Sequence, residues 1–167
     1  MGWKLVHDFP HDLKKYIVIA APHTSWQDFP IGVLARNTSG VQINFVGKNS
    51  LFKGPFGFIF RKLGGVPVDR SKSNNLVDAI VKVFHEKEQF RLALSPEGTR
   101  KKVEKWKTGF YYIAKGAKVP IVMATIDFGK KQVEISEPYY TTDNKEIDFA
   151  YFRSFFNSSM AKKTGQY

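Results

Sequence analysis

Residues 16–28 read YIVIAAPHTSWQD and decide the fold of the chain. The apolar run Tyr16–Ala21 predicts a buried strand, and the polar residues behind it predict a turn that opens a helix near Ser25–Ala35. A strand that leads directly into a helix is the repeating unit of an α/β fold. Five more strand-like runs follow, at Gln42–Val46, Gly65–Val68, Phe90–Leu94, Pro120–Ile126 and Lys131–Ile135.

Further helix-like stretches accompany these strands. They lie near Asn74–Lys87, Thr108–Lys115 and Asn144–Met160. We therefore predict an α/β fold with a mixed, mostly parallel sheet flanked by helices. In this sheet Lys131–Ile135 is expected to add an antiparallel or edge strand through a hairpin at Gly129. The length of 167 residues and the absence of a linker predict a single domain over residues 1–167.

The composition excludes several classes of protein. Hydrophobic residues make up 43% of the chain, which excludes global disorder, and the absence of cysteine excludes disulfides and favours a reducing compartment. The longest run without an acidic or basic residue is Tyr16–Gln27, whose twelve residues fall well short of the ~20 that cross a bilayer. Met1–Phe9 lacks the apolar core of a secretory signal. We expect a protein that is soluble or lies on a membrane surface.

The basic residues are concentrated in two segments of a chain whose formal net charge is +11. Lys48–Lys72 has six basic residues against one acidic, and Glu97–Lys118 has seven against two. Such a surface attracts the phosphates of nucleic acid, lipid headgroups or a small substrate, although it can also be only a solvated face. The first segment also contains apolar residues that suit either a membrane interface or a core helix with a basic edge. These are Phe52, Phe56, Phe58, Ile59, Phe60 and Leu63.

His23 and Asp28 are the residues best placed for acid–base chemistry. His23 falls in the predicted turn and Asp28 in the first turn of the helix. There the carboxylate can hold one imidazole nitrogen and leave the other as a general base. The alternative is structural, because Ser25 with Asp28 three residues later also matches a capping box.

Two further strand ends carry cationic turns. Residues 95–100 (SPEGTR) present Arg100 after one predicted strand, and residues 64–70 (GGVPVDR) present Arg70 at the end of another. Either turn could be purely structural, but an arginine fork suits phosphate oxygens. Because the carboxyl ends of parallel strands meet at one edge of a sheet, this set of residues suits the deprotonation of a hydroxyl on a phosphorylated molecule.

Four ordered blocks of the chain resemble the glycerolipid acyltransferase family, and most closely its 1-acylglycerol-3-phosphate acyltransferases. The blocks are H-x-x-x-x-D at His23–Asp28, G-G-V-P-V-D-R at Gly64–Arg70, P-E-G-T-R at Pro96–Arg100 and V-P-I-V at Val119–Val122. The resemblance covers roughly Ile17 to Ile126. It implies a mixed sheet flanked by helices and acyl transfer from acyl-CoA or acyl-carrier protein.

The resemblance also implies roles for individual residues. His23 would be the general base and Asp28 its orienting partner, while Val119–Ile121 would help line the acyl path. Arg70 and Arg100 would hold the acceptor phosphate. The full set of implied substrate-binding residues is Lys48, Arg70, Glu97, Gly98, Thr99 and Arg100.

We therefore expect an acyltransferase of phospholipid biosynthesis, peripheral on the inner, cytoplasmic face of the membrane. It would move a fatty acyl group from an acyl thioester to a hydroxyl of a lysophospholipid-type acceptor such as 1-acylglycerol-3-phosphate. No metal or bound cofactor is expected, since the donor, acyl-CoA or acyl-carrier protein, is a substrate. The expected partners are the membrane lipid surface, this donor and the lysophospholipid acceptor, without nucleic acid.

Two alternatives stay open. In a non-catalytic lipid-binding relative, the His–Asp segment would only cap a helix. A basic nucleic-acid-binding domain would show affinity that falls steeply with salt and no role for His23 or Asp28.

Overall fold

The computed structural model describes residues 2–22, 25–68, 76–98 and 105–156. Within these ranges the strands are β1 (Lys4–Val6), β2 (Lys15–Ala20), β3 (Asn44–Lys48), β4 (Gly65–Val68), β5 (Phe90–Leu94), β6 (Ile121–Asp127) and β7 (Gln132–Ile135). The helices are α1 (Asp28–Ser39), α2 (Asn49–Lys53), α3 (Gly57–Lys62), α4 (Leu76–Glu86), α5 (Gly109–Ala117) and α6 (Lys145–Phe155). Of the helices in these ranges, none combines the length and the apolar character that a membrane span requires.

The strands form one sheet in the order β1-β7-β6-β2-β5-β3-β4. Among the described residues, β6 and β7 are the one antiparallel pair of neighbours. β2 lies at the centre, parallel to β5 and β6, and its residues Tyr16–Ile19 are buried. Burial on both faces explains why this run is continuously apolar instead of alternating. The predicted α/β fold with a mixed, mostly parallel sheet is confirmed.

The predicted elements differ from the observed ones at their ends and at one edge of the sheet. Gly65–Val68 and Phe90–Leu94 match β4 and β5 residue for residue. The hairpin at Gly129 makes β7 antiparallel to β6, but β7 is not an edge strand, because β1 pairs with its other side. The three residues of β1 are too few to show an alternating pattern. The helix predicted over Asn144–Met160 ends at Phe155, where the backbone becomes extended.

The helices cover the two faces of the sheet. Because parallel crossovers are right-handed, the connections β2–α1–β3 and β3–α2–α3–β4 place α1, α2 and α3 on the same face, which we call the α1–α3 face. The crossovers through α4 and α5 run back across the sheet and place those helices on the opposite face. α6 joins them, since its Phe149 and Phe152 contact Phe110 of α5. This second side is called the α4–α6 face.

Aromatic rings fill the core on the α4–α6 face. Phe152 is fully buried, and its ring centroid lies 5.8 Å from those of Phe110 and Phe149 and 5.4 Å from that of Tyr139. Edge-to-face contacts of this kind add to the free energy gained from burial of the apolar surface. The α4–α6 face is therefore a well-filled core.

On the α1–α3 face, Phe52 anchors the short helices α2 and α3. Its ring is 3% exposed, and a Cβ added at Gly47 or Gly65 would lie only 2.7 or 2.8 Å from its atoms, so both glycines make room for it. The ring of Phe60 contacts Phe52 at 6.2 Å and is half-buried, whereas Phe56 is 66% exposed. Of the two alternatives that the sequence left open for this segment, Phe52 fits the core helix, because this residue is part of the core.

Candidate active site

The carboxylate of Asp28 lies at the N-terminus of α1. Asp28 is the first residue of the helix and is 5% exposed, and its Oδ2 accepts a hydrogen bond from the Ser25 N–H at 2.8 Å. This bond is one half of the predicted capping box, while the Ser25 hydroxyl accepts from the Gln27 N–H at 3.3 Å. The positive end of the helix dipole stabilises a negative charge at this position. Sequence reasoning therefore placed Asp28 correctly in the first turn.

The capping bond is compatible with a role for Asp28 in acid–base chemistry. An ionised carboxylate has two oxygens and about four acceptor sites, so it can accept from Ser25 and from an imidazole together. His23 lies outside the described residues. The pairing of His23 with Asp28 stays a prediction.

A tight turn follows β5 at the carboxyl edge of the sheet. The Gly98 N–H donates to the Ser95 carbonyl at 3.1 Å, with Pro96 at the second position of the turn. Gly98 has a φ of +65°, which glycine adopts without strain, and Glu97 is buried at 4% exposure. The turn predicted from the sequence is present, while Thr99 and Arg100 lie outside the described residues.

Lys107 lies across this turn, although sequence reasoning assigned it no role. Its N–H donates to the Pro96 carbonyl at 2.8 Å. A Cβ added at Gly98 would lie 2.8 Å from the Lys107 ammonium nitrogen and 2.7 Å from its Cε. Gly98 therefore leaves the space in which the Lys107 side chain lies against the backbone of the turn. The only sequence signal for this cation was its membership of the second basic segment.

The other predicted cations belong to neighbouring strand ends. Lys48 is the last residue of β3, and Arg70 follows β4 outside the described residues. Since β2, β3, β4 and β5 are parallel, their carboxyl ends lie at one edge of the sheet. The structure thus brings Asp28, the turn after β5 and the end of β3 to the same edge.

An apolar cavity of about 260 Å³ runs beneath α1. At the carboxyl edge it is lined by Pro22, Asp28 and Ser95, and deeper in the protein by the buried side chains of Phe9 and Ile43. The wall between these ends comes from α1 and from β2, β3, β5, β6 and β7, and its residues are mostly apolar. An apolar cavity with a few polar groups in its lining is the usual form of a ligand site.

Ser95 contributes an unsatisfied hydroxyl to this cavity. Its buried Oγ has no hydrogen-bond partner within the part of the chain that the structure describes. A buried hydroxyl without a partner costs free energy, and such groups call for a functional explanation. Sequence reasoning treated Ser95 only as the start of a turn, because nothing in the local pattern shows whether a hydroxyl will be satisfied.

The segment Val119–Ile121 does not line this cavity. Val119 and Ile121 are buried in the core of the α4–α6 face, at the start of β6. The residues of β6 that reach the cavity are Ala124 and Ile126, farther along the strand. The role implied for Val119–Ile121 in the acyl path stays a prediction, and these residues lie at the end of the strand opposite to this cavity.

A model of the protein family described as Acyltransferase matches residues 6–127. The matched region starts at the end of β1 and finishes at the end of β6, so it includes the whole carboxyl edge described above. No curated protein and no solved structure matches the chain. In the described ranges, no group of three or more histidine, aspartate or glutamate side chains is placed to hold a metal ion.

Proposed function

The chain belongs to the Acyltransferase family, the family of the glycerolipid acyltransferases, and we propose that it acylates a hydroxyl of a lysophospholipid-type acceptor. The family supports acyltransferase activity in general, whereas the identity of the donor, of the acceptor and of the catalytic residues is our proposal. One observation carries it. The apolar cavity beneath α1 ends at Asp28 and Ser95, at the carboxyl edge of the sheet.

The proposed reaction needs one general base. His23 removes the proton from the acceptor hydroxyl as its oxygen attacks the thioester carbonyl, and Asp28 holds the imidazole in the correct tautomer. The tetrahedral intermediate then expels the thiolate, which takes the proton back from His23. The products are the acylated acceptor and the free thiol of the donor.

The acyl chain would occupy the cavity beneath α1. Each buried methylene contributes about 0.8 kcal/mol, so an apolar channel favours a long chain over a short one. The thioester carbonyl would then lie at the carboxyl edge, beside Asp28. The buried Ser95 hydroxyl, which has no partner among the described residues, is available there as a hydrogen-bond donor.

The acceptor phosphate would bind at the cationic turns. Arg70 and Arg100 offer forked donors to its oxygens, and Lys48 is a further candidate. The turn residues Glu97, Gly98 and Thr99 shape this subsite. We add Lys107, whose ammonium nitrogen lies close to Gly98.

The donor is proposed to be acyl-CoA or acyl-carrier protein, used as a substrate. The mechanism needs no metal or resident cofactor, because an imidazole base and hydrogen-bond donors are enough for acyl transfer. The protein would act as a peripheral protein on the cytoplasmic face of a membrane, where its acceptor resides.

A second candidate is a lipid-binding protein without catalysis. The hydrogen bond from Ser25 to Asp28 favours it, since that bond gives Asp28 a structural task as a helix cap. The two candidates differ in whether His23 matters for turnover.

Steady-state kinetics with an acyl thioester and a lysophospholipid test the proposal. His23→Ala is expected to lower kcat about 10²–10⁴-fold, because a general base acts in the chemical step. Arg100→Ala is expected mainly to raise the acceptor KM, with only partial rescue by Arg100→Lys. His85→Ala and Arg153→Ala, which change exposed residues of α4 and α6, are the matched controls. An unchanged kcat in folded His23→Ala would favour the lipid-binding candidate, and a raised donor KM in Arg100→Ala would move this turn to the donor side.

A further inference from the structure

Large apolar side chains project into solvent from the α1–α3 face. Trp26, Phe56 and Phe58 are 68%, 66% and 65% exposed. Large exposed apolar groups on one surface mark a place of interaction. We call this surface the apolar platform, and it consists of Trp26, Phe29, Leu51, Phe56, Phe58 and Ile59.

The fold brings the two parts of the platform together. Trp26 and Phe29 lie at the start of α1, and the ring of Phe29 contacts Phe45 of β3 at 5.3 Å. β3 leads directly into α2, so the remaining platform residues begin only a few positions beyond Phe45. At the other end of α1, the Arg36 guanidinium would lie 3.3 Å from a Cβ added at Gly64, just after α3. α1 and the α2–α3 hairpin are therefore neighbours on one face.

The outward direction of the rings follows from the packing of α2 and α3. Phe52 points inward, where Gly47 and Gly65 make room for it. Gly57, the residue between the exposed Phe56 and Phe58, is buried against the Phe52 backbone. With Phe52 and Gly57 inside, the two neighbouring phenylalanines are directed to solvent.

The charges around the platform are of one sign. Between residues 25 and 68 the only acidic residue is Asp28, which is buried. Lys53, Arg61 and Lys62 of the same hairpin are exposed. The opposite face carries paired charges instead, with Lys82 bound to Glu86 at 3.6 Å. Aromatic rings flanked by cations, without an exposed acid, are complementary to a surface of anionic lipid headgroups.

We propose that the apolar platform docks the protein on an anionic bilayer, with its aromatic rings among the headgroups and its cations on the lipid phosphates. This inference rests on the proposed function, since it supplies the surface from which a lysophospholipid reaches the site. The platform begins at Trp26, two residues before Asp28. Phe29 lies on the platform and also lines the cavity beneath α1. Docking would therefore bring the cavity and the site residues to the lipid surface.

Co-sedimentation with vesicles of phosphatidylglycerol and phosphatidylcholine tests the docking surface. Phe56→Ser/Phe58→Ser is expected to weaken binding about tenfold or more, because two inserted rings are lost. Lys53→Gln/Lys62→Gln should weaken it only on vesicles that contain phosphatidylglycerol. The matched control is Tyr140→Ser/Ile147→Ser, which removes side chains of 63% and 59% exposure outside the platform and should leave binding unchanged.

Three results would overturn the docking proposal. The first is unchanged vesicle binding by folded Phe56→Ser/Phe58→Ser, and the second is an equal loss in the control. The third is a dimer in ultracentrifugation that dissociates in Phe56→Ser/Phe58→Ser while vesicle binding persists, which would assign the platform to a second copy of the chain.

A soluble assay separates this proposal from the proposed function. Acyl transfer to a short-chain, monomeric acceptor should be nearly the same in wild type and in Phe56→Ser/Phe58→Ser, because no bilayer is involved. If wild type lacks this activity but binds vesicles through the platform, the proposed function fails and the docking surface stands.

Discussion

The two faces of the sheet are built in opposite ways. On the α4–α6 face, buried rings of Phe110, Phe149 and Phe152 contact one another at 5.6–5.8 Å and fill the space beneath the helices. On the α1–α3 face, a cavity of about 260 Å³ lies beneath α1, and rings such as Phe56 project into solvent. The α4–α6 face resembles the interior of an ordinary protein, where few voids remain.

This difference separates the parts of the molecule that serve stability from those proposed to serve function. A filled aromatic core stabilises the sheet without any need for a ligand. An apolar cavity and exposed rings have the opposite effect, since they leave apolar surface unburied and packing contacts unmade. We infer that the α1–α3 face retains both features because a lipid chain occupies the cavity and a lipid surface covers the exposed rings.

The largest expected effect of a single substitution is the loss of a ring from the filled face. Phe152→Ala should lower the free energy of unfolding by about 3–5 kcal/mol, since it leaves a cavity among the rings that contact Phe152. Phe29→Ala on the α1–α3 face, where the ring is 42% exposed, should cost about 1 kcal/mol or less. Urea titrations of the two variants measure the contrast. Equal losses would contradict the distinction between the faces.

A smaller effect is expected at Asp148, a buried carboxylate of α6. It accepts hydrogen bonds from the Tyr139 hydroxyl at 2.7 Å and from the Thr142 hydroxyl and N–H. Burial alone would raise the pKa of Asp148, but these hydrogen bonds outweigh it and hold the pKa below its ordinary value of 3.8. Asp148→Asn should therefore lower the free energy of unfolding by about 1.5–3 kcal/mol at neutral pH.

The pH dependence of that loss follows from the lowered pKa. The charged form of Asp148 stabilises the fold fully above its unfolded-state pKa, and this stabilisation is lost as the pH falls through the lower folded-state pKa. The difference between wild type and Asp148→Asn should thus be constant near neutrality and shrink below pH 3.8. Asp78→Asn, at an exposed position of α4, is the control. A difference that grows on acidification would contradict this account of the carboxylate.

The fold could be predicted because the strands at the centre of the sheet have a recognisable local sequence pattern. Tyr16–Ile19 is apolar throughout, and Phe90–Leu94 is apolar except at Arg91. Such runs are typical of strands that are buried on both faces, so the local sequence identifies them. The three-residue β1 has no such signal, since pairing with β7 defines it. Asp28 and the Gly98 turn also lie where the sequence placed them, while the roles of the site residues stay predictions.

Long-range packing decided what the sequence could not predict. Phe52 and Phe56 are the same residue type four positions apart, yet one is buried and the other exposed, partly because Gly65 approaches Phe52 from a different strand. The contact between Lys107 and Gly98 likewise joins positions that no local pattern connects. The cavity beneath α1 could not be predicted either, because its walls come from a helix and five strands, whose apolar residues look like ordinary core.

The smallest changes in stability are expected for substitutions of residues that line the cavity. These substitutions also give the sharpest test of function. Gly32 and Ala35 of α1 both line it, and a Cβ added at Gly32 meets nothing within 4 Å. Gly32→Ala should stabilise the protein by about 0.5–1 kcal/mol, since glycine inside a helix is unfavourable. It should leave the cavity open and serve as the control for larger side chains at the same positions.

The acyl-chain-length profile of Gly32→Leu and Ala35→Leu tests the central claim most directly. At 1.5 Å of rise per residue, these positions lie about 6 Å and about 10 Å along α1 from Asp28. We predict that kcat/KM for long-chain thioesters falls in both leucine variants. Gly32→Leu should prefer shorter acyl chains than Ala35→Leu does, and Gly32→Ala should keep the wild-type profile. Folded leucine variants with the wild-type chain-length profile would contradict the assignment of this cavity to the acyl chain.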